Sequence, residues 1–451
     1  MKKILQLKLW QQVLIGLFLG VVTGVVLKHN GLGDKAEDLK IFGTIFLSLI
    51  KMVIVPLIFF AILSGITSMH GDGNFTRIGL KGFSTYIFTA IFAVFIGISA
   101  GLIFQPGKGV ELESLIMKEK ARTVYAHGIS AEEIAQKEKL EKEIKEEACA
   151  SSNEALKKEY HCPPSAKEFL LNLIPTNPIR AMANDSFLQI IIFSIFTGIV
   201  INMIGDKGEP LRNVIFSASS VSFKMIDLII KLAPIGVFGY ISWIVGTQGL
   251  DILAALTKLV ITVLAACIIQ YLIFGLMILV FGKMSPMPFY RKILFTQSIA
   301  FSTSSSKATL STALQQLQTR MGVSKTNSNF LLPLGVCINM DGTAIYLGIC
   351  ALFFSQALGI PLTGSDYAML ILTCTFGSIG AAGIPSGSII FMSMVLTSVG
   401  LPIEGIGIIL GIDRVLDMVR TTINITGDSA ITMIVDKSEG GLDEKVYYAK
   451  N

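Results

Sequence analysis

The feature that most constrains this chain is a series of apolar stretches, each long enough to cross a lipid bilayer as a helix. One crossing takes about 20 residues. We therefore predict an all-α polytopic membrane protein, embedded in the lipid bilayer, with about eight transmembrane helices. The predicted spans lie at about residues 10–27, 41–67, 83–105, 187–204, 214–246, 252–282, 328–358 and 403–435.

The composition agrees with this prediction. Of the 451 residues, 52% are hydrophobic and 15% are charged, whereas soluble domains carry about 25% charged residues. The Lys and Arg residues lie between the apolar stretches rather than in a basic stripe with aromatic residues, so we expect no nucleic-acid partner. All four histidines lie in polar connecting segments, which leaves the apolar part without the usual residues of metalloenzymes and serine hydrolases.

Positively charged connections predict the orientation. The short loops at 68–82, 205–213 and 283–292 and the end after 435 carry Lys or Arg, and the positive-inside rule places them in the cytoplasm with the N-terminus. The loop at 28–40 holds three Lys residues and opposes this assignment. The expected location is a plasma membrane, the inner membrane of a bacterium, with both termini cytoplasmic.

One long hydrophilic insert, 107–167, interrupts the apolar pattern. Its run EEIAQKEKLEKEIKEEA predicts a solvated helix supported by ion pairs one turn apart. Long inserts are translocated regardless of charge, so this one is expected outside the cytoplasm. Its cysteines, Cys149 and Cys162, are either a disulfide or two free thiols.

A polar stripe lies inside the last apolar stretch, in GIDRVLDMVRTTINITGDSA (411–430). At about 100° per residue its members share one helix face. A charge near the bilayer centre costs about 2.5–3.5 kcal/mol, and one Arg cannot pair three Asp residues, so a functional role is favoured over a helix-joining ion pair. The stripe comprises Asp413, Asp417, Arg420, Asn424 and Asp428.

A second polar group interrupts the preceding span, in GVCINMDGTAIY (335–346). Gly342 follows this group in the middle of the span and indicates local unwinding. Opened backbone carbonyls, together with carboxylate and amide oxygens, suit a hard cation such as Na⁺. We therefore predict a cation cluster of Asn339, Asp341, Asn424 and Asp428.

Two further apolar regions, 293–322 and 366–400, are broken near their middle by small residues, at AFSTSSSKATL (300–310) and SIGAAGIPSGSII (378–390). Their arms are too short to span, and non-helical backbone survives at membrane depth only against protein or a cavity, so re-entrant helical hairpins are predicted. Ordinary polar turns are the alternative. One such region precedes each of the two polar spans, and this correspondence indicates inverted repeats around a binding site at the membrane midplane.

This arrangement suits transport of a small acidic molecule. Hairpin tips bind anionic groups through backbone N–H groups, Arg420 is expected to clamp a carboxylate, and Asp417 to receive an ammonium. A channel needs a continuous polar lining over several spans, whereas polarity here is concentrated in the last third. An intramembrane enzyme with a serine of 304–306 as nucleophile and Lys307 as base leaves the stripe unexplained, so no enzymatic activity is expected.

These motifs closely resemble those of the glutamate and aspartate transporter homologues in the dicarboxylate/amino acid:cation symporter family. The resemblance covers nearly the whole chain and rests on KMVIVP, FQPG, PTNP, the serine-rich first tip, NMDGT, AAGIPSGS and DxxxDxxRTxxNxTGD. It implies a homotrimer that works by an elevator movement, with the second hairpin as outer gate. The implied scaffold comprises 1–82 and 168–251, the transport unit 83–106 and 252–436, and the cytoplasmic tail 437–451.

The resemblance also implies the site residues, with Arg420 holding the side-chain carboxylate and Asp417 the α-amino group. The implied amino acid ligands are Ser305, Ser306, Thr343, Gly387, Asp417, Arg420, Thr421 and Asn424. One Na⁺ site comprises Gly335, Asn339, Asn424 and Asp428, and another Tyr86, Thr89, Asn339 and Asp341. A third, under the second hairpin, comprises Met340, Ser378, Ile379 and Ala381. No organic cofactor is implied.

Three positions depart from the family's pattern at these sites. Lys307 stands where relatives commonly have a small or acidic residue in the serine-rich tip. Ser304 stands where some archaeal members have an Arg that pairs with the substrate-site Asp, and Arg414, Arg420 or Lys307 is expected to compensate. Ala90 replaces a Ser often found in the second sodium site.

The expected function is therefore Na⁺-coupled symport of L-aspartate or L-glutamate. Leu347 replaces a Glu that mammalian members use in proton and potassium coupling, so potassium countertransport is not expected. The alternative is a proton-coupled glutamate/aspartate or C4-dicarboxylate symporter in which Asp341 or Asp428 titrates. The two amino acids differ by a methylene, worth only ~1–3 kcal/mol, so sequence leaves the choice between them open.

Overall fold

The computed structural model describes residues 7, 9–67, 73–110, 171, 174–184, 186–380, 387–403 and 406–449. Within these residues the chain is all-helical, as predicted, with sixteen α-helices. The first seven are α1 (Leu9–His29), α2 (Gly33–Thr67), α3 (Gly73–Phe104), α4 (Pro178–Ala183), α5 (Phe187–Met203), α6 (Glu209–Ile230) and α7 (Ala233–Gln248). The others are α8 (Asp251–Val280), α9 (Pro286–Thr303), α10 (Ser306–Arg320), α11 (Lys325–Ile338), α12 (Asp341–Ala357), α13 (Gly364–Gly380), α14 (Gly387–Ser398), α15 (Ile406–Ser438) and α16 (Glu444–Tyr448).

The helices that can cross a bilayer follow the predicted spans, except that α15 differs in composition. Among the described residues, six stretches are long and apolar enough to cross a bilayer: Gln11–His29, Lys35–Thr67, Arg77–Phe104, Gly205–Ile230, Ile252–Val280 and Lys325–Ala357. Helix α15 was also expected to span and has the length, 33 residues. It carries four charged residues between 413 and 420, however, and so lacks the apolar composition.

Two sequence predictions about connections are wrong. The expected single span 214–246 is two helices, α6 and α7, because Pro234 lacks a backbone N–H and begins a new helix. The expected loop 68–82 is helical from Gly73 onward. Arg77 and Lys81 lie one turn apart in α3 and both contact Glu439 beyond the end of α15, which gives this polar extension of the helix a partner. Their hydrogen bonds lower the pKa of the Glu439 carboxyl.

The predicted unwinding between Ile338 and Asp341 is confirmed. Asn339 has extended backbone angles and separates α11 from α12. Gly342 follows in the first turn of α12, where an added Cβ would lie 2.7 Å from the backbone oxygen of Arg420. The absence of a side chain at Gly342 therefore lets α12 approach α15 closely.

The two interrupted regions form pairs of short helices that pack against each other, α9 with α10 and α13 with α14. In the first pair the chain turns at Ser304, which is left-handed with φ of 51°, and Ser305 caps α10 by accepting a hydrogen bond from the Ala308 N–H. The tip of the second pair, 381–386, and the cysteines of the insert, Cys149 and Cys162, lie outside the described residues.

The helices pack in two groups. Helices α1, α2, α5, α6 and α7 form one group, and α3 and α8–α14 form the other around α15. Close contact between the groups occurs where Gly407 and Gly411 of α15 lie against Tyr240 and Ile241 of α7. The core of the second group is therefore built on the one helix that carries the polar stripe.

The close approach at Gly342 generates a stability prediction. Gly342→Ala forces α12 away from the α15 backbone, and overpacking of this kind costs about 1–3 kcal/mol, so we expect a lower melting temperature in detergent. Gly348→Ala on the same helix is the control, because its Cβ would meet its nearest neighbour at 3.6 Å. An equal melting temperature for the two variants would contradict the packing.

Candidate substrate and cation site

Arg420 is the centre of the polar stripe and is fully buried. Its Nη2 donates to Ser388 Oγ at 2.7 Å, to Asp413 Oδ1 at 2.9 Å and to Asp417 Oδ1 at 3.0 Å. Its Cζ lies 4.0 Å from the centre of the Tyr346 ring. The two carboxylates and the aromatic face stabilise a guanidinium that has no access to solvent.

Part of this cluster is available to a ligand. Arg420 Nε and Nη1 are buried and have no hydrogen-bond partner in the described structure, and neither does Asp413 Oδ2. A buried unsatisfied donor costs about 1–3 kcal/mol. A guanidinium binds carboxylates through paired N–H groups, so an incoming carboxylate can satisfy the free donors of Arg420.

Asp417 joins a second arginine to the cluster. Arg414 Nη1 lies 3.5 Å from Asp417 Oδ2, and both side chains are buried. Arg414 and Arg420 thus both pair with Asp417, the residue that the tip arginine of some archaeal members is expected to pair with. Lys307 lies elsewhere, with its Nζ 3.6 Å from the centre of the Phe223 ring of α6.

Asn424 links the stripe to the unwound segment. Its Oδ1 accepts a hydrogen bond from the Gly342 N–H at 2.8 Å. Its Nδ2 lies 3.1 Å from Met340 Sδ and 3.5 Å from Thr343 Oγ1. Thr421 is buried on the same helix, one residue beyond Arg420. The structure therefore brings together five predicted ligands of the amino acid: Thr343, Asp417, Arg420, Thr421 and Asn424.

A second buried polar cluster lies around Asn339. Its Nδ2 donates to Asp428 Oδ1 at 3.0 Å, and its Oδ1 accepts from Thr89 Oγ1 at 3.0 Å. Next to it along the chain, Asp341 Oδ2 accepts from Gln270 Nε2 at 3.0 Å. Helices α3, α8, α12 and α15 and the break after α11 thus each contribute one side chain to this cluster.

The carboxylates of this cluster lack a cationic partner. Asp341 Oδ1, Asp428 Oδ2 and Gln270 Oε1 are buried without a hydrogen bond, and none of the ion pairs among the described residues involves either Asp. A buried charge must be neutralised. The described residues contain no group of three or more His, Cys, Asp or Glu suited to a metal. The oxygens that this cluster contributes are hard ligands from carboxylate, amide and hydroxyl groups.

Other predicted cation ligands lie in the same place. The Tyr86 hydroxyl donates to Leu331 O at 3.0 Å and lies 3.3 Å from Thr432 Oγ1. A Cβ on Gly335 would lie 2.8 Å from the Tyr86 hydroxyl and 3.0 Å from Asp428 Oδ1. Gly335 therefore brings its backbone next to both predicted ligands.

The predicted ligands in the two helix pairs, α9–α10 and α13–α14, differ in how they lie in the structure. Ser306 is buried and its hydroxyl has no hydrogen-bond partner in the described structure, while Ser305 is the half-buried cap of α10. Gly387 begins α14, directly before Ser388. Ser378 is buried and bonds to its own helix, Ile379 is half-buried, and Ala381 lies outside the described residues. The third cation site stays a prediction.

Three contacting residues are absent from the predicted ligand sets. Asp413 belongs to the stripe but was not assigned to the substrate. Ser388 follows the predicted Gly387 in GIPSGS, and composition alone does not say which of the two faces Arg420. Gln270 is the one amide in the apolar run AACIIQYLIF, and that isolation is the signal that could have identified it.

Comparison with known proteins identifies the family. A model of the sodium:dicarboxylate symporter family matches residues 9–438. The chain belongs to this family. This confirms the resemblance, and the chain is a multi-pass membrane protein of a family of symporters rather than of enzymes.

Named relatives align over nearly their whole length. The proton/sodium-glutamate symport protein of Bacillus subtilis (strain 168) is 32% identical over 436 residues, which are 95% of this chain and 92% of that protein. The C4-dicarboxylate transport protein of Azorhizobium caulinodans is 30% identical over 438 residues, 97% of this chain and 91% of that protein. The proton/glutamate-aspartate symporter of Bacillus subtilis is 30% identical over 447 residues, 98% of this chain and 97% of that protein.

The ion pairs of Arg420 generate a double-mutant prediction. Arg420→Met leaves Asp413 buried without its cation, and breaking such a pair costs about 3–5 kcal/mol, so the melting temperature should fall strongly. Adding Asp413→Asn removes the uncompensated charge and should restore part of the loss. The single variant Asp413→Asn completes the cycle, and purely additive effects of the two changes would contradict the pairing.

Proposed function

We propose that this protein is a sodium-coupled secondary active symporter that takes up acidic amino acids, L-aspartate and/or L-glutamate. The observation that carries the proposal is the pair of buried clusters on α15. One offers free guanidinium donors beside a carboxylate, and the other offers carboxylates without a cation. Asn424 connects the two through Gly342.

The first cluster fits an amino acid with an acidic side chain. In this proposal a substrate carboxylate accepts hydrogen bonds from Arg420 Nε and Nη1, which have no partner in the described structure. Asp417, 3.0 Å from Arg420 Nη2, would receive the ammonium beside that carboxylate. A C4-dicarboxylate such as succinate has the two carboxylates of aspartate but no ammonium, so it cannot make this contact with Asp417.

The second cluster fits Na⁺. Asp341 and Asp428 each keep one carboxylate oxygen free, while their other oxygens accept hydrogen bonds from Gln270 and Asn339. Two negative charges buried in this way favour binding of cations together with the substrate. We extend the proposal to the third site of Met340, Ser378, Ile379 and Ala381, formed mainly by backbone carbonyls.

Coupling follows from the shared elements. Arg420, Asn424 and Asp428 succeed one another at one-turn intervals on α15, and Asn424 holds the Gly342 N–H directly after Asp341. A cation that draws Asp341 and Asp428 into a fixed geometry therefore also fixes Asn424 and the start of α12. The amino acid then binds to a site that is already ordered, which costs less conformational entropy.

The two helix groups support an elevator movement. Helices α1, α2 and α5–α7 would form the static scaffold of a homotrimer, and the group around α15 would move with its ligands between the two sides of a bacterial inner membrane. The paired helices α9–α10 and α13–α14 would be the re-entrant hairpins, with the second as outer gate and both termini cytoplasmic. Gly407 and Gly411 have no side chains that would obstruct sliding where α15 lies against Tyr240 and Ile241 of α7.

Proton coupling is the second candidate, and the same two carboxylates favour it. A proton on the free oxygen of Asp341 or Asp428 neutralises a buried charge as a cation does. One relative is named a proton/glutamate-aspartate symporter.

Uptake of labelled substrate into proteoliposomes tests the proposal. We expect an inward Na⁺ gradient to drive accumulation of L-aspartate or L-glutamate, and excess succinate to compete poorly because it lacks the ammonium. Accumulation driven by a pH gradient without Na⁺ would assign the carboxylates to protons. Uptake of succinate in preference to both amino acids would contradict the substrate assignment.

The cation cluster generates a separate prediction. Gln270→Leu removes the amide donor of Asp341, so we expect weaker Na⁺ binding and a smaller Na⁺-induced rise in melting temperature than in the parent. Thr262→Val on the same helix is the control, because that hydroxyl bonds only to its own helix. The same Na⁺ response in all three proteins would remove Gln270 from the site.

A further inference from the structure

The segment after α15 folds back onto the base of the α9–α10 hairpin. The family resemblance implied that residues 437–451 are a cytoplasmic tail. In the structure, α16 lies against both arms of the hairpin at the end opposite the serine-rich tip. These contacts link the end of the chain to an element of the proposed substrate site.

Lys292 is the central contact. This side chain of α9 is only 9% exposed, and its Nζ donates to Arg320 O at 2.8 Å, to Val446 O at 2.9 Å and to Tyr447 O at 2.8 Å. An ammonium has three N–H donors, so all are used. One acceptor ends α10 and two lie in α16, so that a single charged group joins three helices.

Other hydrogen bonds hold the same three helices. Tyr447 is fully buried, and its hydroxyl donates to the backbone oxygen of Ser285, the residue that caps α9, at 2.8 Å. The Ser285 N–H donates to the Tyr448 hydroxyl at 3.2 Å. Beyond the end of α10, the Gly322 oxygen accepts from the Asp443 N–H at 2.8 Å. The beginning of α9 and the end of α10 are therefore both attached to one short segment.

That segment is itself anchored to α15. Asp436, near the end of α15, attaches the start of α11 by accepting hydrogen bonds from the Ser324 N–H and hydroxyl and from Asn327 Nδ2, at 2.9, 2.6 and 2.7 Å. The contact of α15 with α16 itself is an ion pair. Lys437 pairs with Glu444 of α16. A helix of five residues is not stable alone, so α16 depends on these contacts for its order.

The mechanical consequence concerns the hairpin tip. Helices α9 and α10 have 18 and 15 residues, which makes arms of about 27 and 22 Å at about 1.5 Å per residue. The arms pack against each other, but over this length a small rotation at an unfastened base would move the tip relative to α15. A clamp at the base removes that freedom.

We propose that residues 443–448 are a working part of the transport unit: a clamp that closes the base of the α9–α10 hairpin and so positions Ser305 and Ser306 for the substrate. Lys292 is the positioning residue of this clamp. The role toward substrate rests on the proposed function, whereas the clamp itself is a property of the hairpin and is measured without transport.

The distance between the two arms tests the clamp. Spin labels at Arg291→Cys and Thr319→Cys, both exposed near the base, are placed in a chain whose native cysteines are replaced. We expect one narrow distance distribution with Lys292 present, a broad or longer one with Lys292→Met, and recovery with Lys292→Arg, which keeps N–H donors. Tyr447→Phe removes one hydrogen bond at nearly constant shape and should broaden the distribution less. Identical distributions in all four proteins would overturn the clamp.

Kinetics test the positioning role in the reconstituted transporter. We expect Lys292→Met to raise KM for the acidic amino acid severalfold with a smaller effect on the maximal rate, and Lys292→Arg to restore KM. Lys325→Met is the control, since the exposed side chain of this lysine takes no part in the described hydrogen bonds at the hairpin base. An unchanged KM in a Lys292→Met protein with separated arms would refute the positioning role. Absence of acidic amino acid uptake in the parent would refute the proposed function and leave the distance result standing.

Discussion

The structure depends on the burial of a charged helix face inside a protein that spans a membrane. Arg420 is fully buried because two carboxylates from its own helix accept its hydrogen bonds and Tyr346 covers its plane. Without that compensation the stripe would cost several kcal/mol. The second helix group therefore packs around α15, and neighbouring helices supply the polar contacts that the bilayer cannot.

The break between α11 and α12 makes the second half of the site possible. In an uninterrupted helix the backbone N–H and C=O groups would hydrogen-bond to each other, and the side chains of Asn339 and Asp341 would project from the helix surface at regular spacing. The extended backbone at Asn339 instead lets neighbouring residues reach α3, α8 and α15. Because Gly342 has no side chain, this broken helix lies directly against Arg420. The acid-binding and cation-binding clusters consequently share a helix and a hydrogen bond.

The sequence predicted the parts of this site that have a local signature. Charged residues at helical spacing in an apolar stretch indicated the polar stripe, and a Gly after Asn-Met-Asp indicated the unwinding. Both signals are clear because the surrounding residues are apolar. Contacts that depend on which distant segments meet were not predictable. Three hydrogen bonds of this kind join residues far apart in the chain. Arg420 donates to Ser388, Gln270 donates to Asp341, and Lys292 donates to the backbone of α16. The division of 214–246 was missed because Pro234 was read as part of a continuous apolar run.

We propose that acid binding and cation binding are thermodynamically linked through α15, and such linkage is reciprocal. The most direct measurement is calorimetric titration of the purified protein with L-aspartate or L-glutamate at several Na⁺ concentrations, with choline keeping the ionic strength constant. We expect the affinity for the amino acid to rise steeply with Na⁺ concentration at fixed pH. An affinity that is independent of Na⁺ over that range would contradict it.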